Sequence, residues 1–476
     1  MKRRGFLKAG LGCIGSMAAC GDNTSSSIAP ESLKSEERDS GFHHRGYLGW
    51  ITDFATRPDM HAAWPSMRLD DALLEDYRRK FRLMWKLGYN EMSVWGLYVS
   101  RSWPLDVTSA VLPERGALVE QLIDEAHEQG IRVYSGLGVY SWGFEDIIRA
   151  HPSLSHDDNP RTMCANDPEA WDWMRRVIDF VFDRFEIDGV SMQSADQGRC
   201  TCRQCRGYSD AEYHALLDVR VSEYIREQDE TKTIAVNTWG LKLQDPENLP
   251  ALLEIGKAAD YIIDTHDTTR RRDPGHRRRI IESLDCSFGT IGGAQVEPPQ
   301  HWKRDRWFLP TCRRQGEHLA ELYAEGGRAC EYFFHILDNP GDEISFGVTG
   351  KLLSEPETPW RDHLQSVLAE LYETSSASAR DELTELVVRA EHAYFRFLPD
   401  SLAGTISMEP LVSDEPGPPV YLTKRLSQQQ RAEYSETVES LADEFENLEP
   451  EVGAKEKLTR TVTCLRNTAR DAGAAS

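Results

Sequence analysis

Apolar positions along the chain change period repeatedly, from unbroken runs that suit a buried strand to spacings of three and four that suit a helix. Residues 47–52 (Tyr-Leu-Gly-Trp-Ile-Thr) read as a first strand. Over 70–87, Leu73, Leu74, Tyr77, Phe81, Met84 and Trp85 fall on one helical face. A second strand is expected over 91–98, entered through Gly88-Tyr89-Asn90. The next helix, 116–129, should stop at Gly130, the position for a left-handed cap. The alternation continues with strand 131–139, helix 167–185, a fourth strand from Asp188 and helix 209–226. Strands 233–239, 261–266, 287–293 and 331–337 complete the set.

Eight strands, several of them followed by a helical stretch, match the size and order of a closed (β/α)8 barrel, the TIM barrel. An open doubly wound sheet is the rival, but no glycine-rich phosphate turn follows the first strand. After Pro356 the texture becomes helical, over 360–373, 379–397, 428–448 and 455–471, with a Pro-rich loop at 414–420. The expected organisation is a barrel over 46–355 and a helical C-terminal appendage over 356–476, whose ordinary role is packing on the barrel.

The N-terminus stands apart from this pattern. Arg3-Arg4-Gly5-Phe6-Leu7-Lys8 resembles a twin-arginine export signal. A weakly apolar stretch then ends in Met17-Ala18-Ala19-Cys20. Small residues before a cysteine resemble a lipobox, which implies cleavage before Cys20 and acylation of its thiol. An ordinary secretory signal is the plainer alternative. Residues 1–19 are therefore read as a signal peptide, and the Ser-rich, charged 20–45 as a flexible tether. The expectation is an exported periplasmic or cell-surface lipoprotein that meets the membrane only through its lipid anchor. A net charge of -23 argues against a nucleic-acid partner, since phosphates are bound through clustered Lys and Arg.

Barrel enzymes build their sites where strands end. Asp53 follows the first strand, Trp103 the second and Trp142 the third. Asp196 follows the fourth, and Asn237 and Trp239 end the fifth. Asp264, His266 and Asp267 close the sixth, and Glu331 opens the eighth. Carboxylates and tryptophans dominate this set. Glycoside cleavage needs two carboxyl groups flanking the scissile bond, and flat aromatic faces suit sugar rings, although core packing is the ordinary alternative for any single Trp. Asp196 is the first choice for the catalytic acid, with Asp264 and Glu331 as candidate partners. Asp53, Trp103, Trp142, Asn237, Trp239, His266 and Asp267 are candidate contacts to a carbohydrate substrate. Arg270 and Arg271, with Arg272, fall in the loop after the sixth strand. Their guanidinium forks would suit an anionic glycan bearing uronate or sulfate. The rival readings are a polysaccharide lyase with His266 or Tyr98 as base, a non-catalytic glycan-binding lipoprotein, and a metal–sulfur redox protein.

Setting aside Cys13 and Cys20, eight of the ten cysteines remain. Cys200, Cys202 and Cys205 are too crowded for three separate disulfides, and Cys164 offers a fourth thiol. Four thiolates suit a structural zinc or an iron–sulfur cluster; a single disulfide with leftover thiols is the alternative. No organic cofactor is expected.

A strand ending in a carboxylate and followed by Cys-x-Cys-x-x-Cys resembles a motif of secreted bacterial barrel proteins related to the hexosaminidase and α-glucuronidase families. The resemblance implies a barrel and sugar hydrolysis. Hexosaminidases close the fourth strand with an Asp-Glu pair, whereas this chain has Ala195-Asp196-Gln197. A substrate-assisted mechanism, which needs the second acidic group, is not implied.

Overall fold

The computed structural model describes residues 41–50, 70–95, 113–157, 159, 161–194, 198–238, 241–243, 245–264, 275–293, 307–333, 339–374, 376–396 and 426–474. Eight parallel strands close into a barrel in sequence order. They are β1 (His44–Trp50), β2 (Glu91–Trp95), β3 (Arg132–Val139), β4 (Gly189–Ser194), β5 (Thr233–Asn237), β6 (Tyr261–Asp264), β7 (Ser287–Gly293) and β8 (Ala329–Phe333). The expected (β/α)8 architecture is the observed one.

The helices that wrap the barrel are α1 (Asp71–Leu87), α2 (Pro113–Glu128), the short α3 (Glu145–Ala150), α4 (Pro168–Arg184), α5 (Asp210–Gln228), α6 (Leu249–Ala258), α7 (His276–Ser283), α8 (Cys312–Ala324) and α9 (Pro340–Ser354). Local chemistry sets their ends. Asp70 accepts a hydrogen bond from the Leu73 N–H at the start of α1, and Asp167 does the same for Glu169 and Ala170 at the start of α4. Ser209 and Glu212 form a reciprocal capping box on α5. Gly130 adopts the left-handed conformation, φ 71°, where the sequence asks for it.

Three differences from the sequence reading have a clear physical cause. The last residues of the segment read as tether, 41–45, are already structured. Phe42 is fully buried, and β1 begins at His44, which pairs with Ala329. β8 starts at Ala329 rather than at Glu331, because Ala329 and Cys330 pair with β1 and with Gly289 and Thr290 of β7. Glu331 is therefore the middle residue of its strand. The third difference is α9, which has no polar stripe. Pro340 to Thr349 are almost all buried, so the helix lacks the period that would announce it.

Four helices follow the barrel: α10 (Trp360–Leu371), α11 (Ala377–Phe395), α12 (Gln428–Asn447) and α13 (Lys455–Ala474). They share one compact unit, Ser40–Ser476, with the barrel. The Glu391 carboxylate on α11 accepts from the Arg313 and Arg314 backbone N–H groups, 2.8 and 2.9 Å, at the start of α8. A carboxylate there satisfies orphan donors and faces the positive end of the helix dipole. On α13, Thr468 accepts from the Phe308 N–H and Asp471 from the Trp307 indole.

Candidate active site and four-cysteine centre

Alternation along a barrel strand sends every second side chain inward. In β2 that phase carries Glu91, Ser93 and Trp95; in β8 it carries Ala329 and Glu331. Two carboxyl groups thus enter the barrel, and both flank the bare α-carbon of Gly46. Their surroundings differ sharply.

Glu91 accepts hydrogen bonds from Arg132 Nη2 (2.7 Å), Tyr134 Oη (2.9 Å) and Tyr261 Oη (3.1 Å), with His44 Nδ1 at 3.3 Å. Burial alone would raise its pKa. The His44 and Arg132 charges and the His44 and Tyr134 hydrogen bonds outweigh burial and hold the carboxyl below its ordinary range. It is an ionised structural centre.

Glu331 is fully buried. Ser93 donates to its Oε1 at 3.0 Å, while Oε2 has no hydrogen bond. Burial pushes its pKa up to about 7, the Ser93 bond pulls against that, and the negative Glu91 adds to the rise. Asn237, the last residue of β5, donates to Ser191 Oγ at 2.9 Å and leaves its own Oδ1 without a hydrogen bond. Ser191 and Asn237 each exert a weaker lowering pull on Glu331. A carboxylic acid that holds its proton near neutrality is chemically equipped for proton transfer.

Trp95 and Trp142 pack against each other beside this array, ring centroids 5.1 Å apart and nearly perpendicular at 82°. Two glycines make room for them. A Cβ on Gly136 would lie 2.4 Å from the Trp95 ring, and one on Gly138 would meet the Trp142 carbonyl at 2.0 Å. Just past β3, Tyr140 takes φ 62°, a left-handed conformation uncommon outside glycine. This turn folds the chain back so that Trp142 reaches Trp95.

Of the residues singled out in the sequence, Glu331, Asn237 and Trp142 stand in or beside this interior. Asp264 is buried at the end of β6, and alternation puts it on the strand face opposite Tyr261 and Ile263. Asp53, Trp103, Asp196, Trp239, His266, Asp267, Arg270, Arg271 and Cys20 lie outside the described residues. Sequence reading passed over Glu91, Ser93, Trp95 and Ser191. The available signal was polar residues on the inward phase of β2, Glu-x-Ser-x-Trp.

Behind β4 lies a second polar group. The Ser194 hydroxyl hydrogen-bonds His214 Nδ1 (2.6 Å) and Asp218 Oδ2 (3.0 Å), all three being buried. Burial raises the Asp218 pKa to about 7, against the Ser194 bond, and lowers that of His214 to about 4. His214 and Asp218 both address the serine and not each other. The arrangement is a brace between β4 and α5, without the serine–histidine–aspartate order of a hydrolytic relay.

Cys164, Cys200, Cys202 and Cys205 come together as the sequence reading expected. Their sulfurs all lie within 4.8 Å of one another and could hold a metal ion. None of the four is in a disulfide, nor are the other four described cysteines. Cys164 precedes α4, on the connection that follows β3; the other three lie between β4 and α5. The two segments are also tied by side chains, with Thr201 Oγ1 donating to Asp157 at 2.8 Å and Asn166 Nδ2 to Cys205 Sγ at 3.3 Å.

No known family profile matches this chain, and no curated protein does. Among solved structures it is similar to a mutant O-GlcNAc hydrolase of Thermobaculum terrenum, at 14% identity over 85% of this chain and 76% of that one, TM-score 0.48. It is also similar to a chitobiase of Flavobacterium johnsoniae, at 11% identity over 90% and 71%, TM-score 0.44. A mutant β-hexosaminidase of Streptomyces plicatus aligns at 10% identity over 70% and 68%, TM-score 0.44. These likenesses assign no role to any residue of this chain.

Proposed function

We propose that this chain is a glycoside hydrolase working by carboxylate acid/base catalysis. One observation carries the reading: Glu331 is a buried acid with its pKa near 7, and it shares the barrel with paired indoles. Cleaving a glycosidic bond requires an acid that is still protonated when it meets the leaving oxygen, and a second carboxylate as nucleophile or water-activating base. Glu331 suits the first role. Asp196, which follows β4 in the sequence and is the first choice there for the acid, becomes on this reading the candidate for the second, with Asp264 as its rival.

The finer parts of the reading come from the sequence. An exported, lipid-anchored enzyme would meet polysaccharide or oligosaccharide outside the cytoplasm. Arg270 and Arg271 on the loop after β6 would favour uronate-bearing or sulfated chains. A structural zinc at the four cysteines completes the proposal, as a brace and not as a reactant.

The test is a product screen of the purified protein on neutral, uronic and sulfated glycans, run with Glu331→Gln and Asp196→Asn. Glutamine keeps the shape of Glu331 but cannot give up a proton, so turnover should fall by about 10²–10⁴-fold with folding intact. Wild-type turnover that survives both substitutions would refute the carboxylate mechanism. Absence of product on every glycan would refute hydrolysis itself.

A further inference from the structure

We infer that Cys164, Cys200, Cys202 and Cys205 form a mononuclear, tetrahedral zinc site that staples the connection after β3 to the connection after β4. This rests on the metal part of the proposed function and is independent of the sugar chemistry.

The geometry selects the kind of centre. Zinc binds thiolate sulfur at about 2.3 Å, and a tetrahedron of that radius has edges of about 3.8 Å. Cys164 Sγ lies 3.8 Å from Cys202 Sγ and 3.6 Å from Cys205 Sγ. The remaining pairs fall within 4.8 Å. In a multi-iron cluster the cysteines ligate different irons, so their sulfurs spread around the cluster rather than converging on one point. This set converges. Four soft thiolates with no oxygen or imidazole among them favour zinc over magnesium, calcium or manganese. With all four positions taken by protein, the ion has no open place for water or substrate, which makes it structural.

The surroundings are those of a supported metal site. Asn166 directs an N–H at Cys205 Sγ. Asp157 holds Thr201, between two ligands, through both its hydroxyl and its backbone N–H. The Cys205 and Arg206 N–H groups both bond the Cys202 carbonyl, a tight turn that points Cys202 and Cys205 the same way. Such outer partners orient ligands and tune affinity. One ligand comes from the segment leading into α4 and three from the segment leading into α5. The ion therefore joins two barrel connections that the backbone alone does not pair.

The test uses the full chain purified without chelators. Elemental analysis should find one zinc per chain, and zinc-edge X-ray absorption four sulfur neighbours at about 2.3 Å. Cys202→Ser should lose the ion, whereas Cys464→Ser, at a buried thiol of α13 outside the cluster, should keep it. Because a ligand substitution can unfold the region, Asn166→Ala provides the milder case. It should weaken zinc by about 10–100-fold against a competing chelator. Removing zinc should raise hydrogen exchange in 161–167 and 198–209 while the strands stay protected. A chain without metal, one carrying iron, or a zinc with nitrogen or oxygen neighbours would overturn the inference. A zinc-loaded chain that cleaves no glycan would leave it standing and would refute the hydrolase reading alone.

Discussion

At the scale of single residues, the decisive contrast is between two glutamates beside Gly46. Glu91 is ringed by donors and ionised; Glu331 is bonded by Ser93 at 3.0 Å, with weaker lowering pulls from Asn237 and Ser191, and burial prevails. If Glu331 is the acid, the rate should be highest where it is protonated. Its pKa near 7 then places a falling limb in the pH–rate profile around neutrality as pH rises. In Ser93→Ala, which removes a bond that holds the pKa down, the limb should move to higher pH. A limb that stays put in Ser93→Ala would remove Glu331 from the chemistry. Glu331 was legible in the sequence as a carboxylate near a strand end, but its tuning was not. That depends on Glu91, 240 positions away in the chain, and on inward phases of β4 and β5 that only the barrel register fixes.

At the scale of elements, β4 and α5 are held together by Ser194, His214 and Asp218, and this group was invisible before the fold. A serine ending a strand and an i, i+4 His–Asp pair in a helix look like ordinary polar positions until the two elements pack. Ser194→Ala should leave Asp218 and His214 buried without their shared partner. The expected cost is about 1–3 kcal/mol in urea unfolding. Unchanged stability would show that the hydroxyl's work is done by something else. The cysteine motif was legible for the opposite reason. Three of its four members sit within six residues, so spacing alone reveals a centre. Helix α9 failed for a third reason: a helix buried on all sides carries no periodic signal. The early start of β8 was hidden likewise, since Ala329 and Cys330 join the strand through register with β1 and β7 rather than through propensity.

At the scale of the whole molecule, alternating period along the chain sufficed for the barrel, because the eight strands and four of the helices between them announce themselves locally. What it does not announce is the cost of filling the interior with acids. Asp218, Glu331 and Glu391 are fully buried, and burial lifts each to a pKa of about 7 from ordinary values of 3.8, 4.5 and 4.5. The folded state thus keeps protons that the unfolded chain releases above about pH 4. Their contribution to stability is full below the unfolded values, declines as pH climbs, and is gone above 7. His214 acts the other way. Its folded pKa near 4 lies below the ordinary 6.5, so its contribution is present above 6.5 and lost as pH falls toward 4. Glu91, held low by His44 and Arg132, likewise loses its contribution only in acid. Three acids against one histidine leave a net downward slope, so the melting temperature should be higher at pH 5 than at pH 8. Glu391→Gln, remote from the barrel interior, should flatten that slope without touching turnover, because the amide no longer ionises, although its single oxygen can accept from only one of the two α8 N–H groups. Glu331→Gln should flatten it as well and lower turnover by about 10²–10⁴-fold. A melting temperature that rises from pH 5 to 8 would show that these acids share their burden with water or with one another.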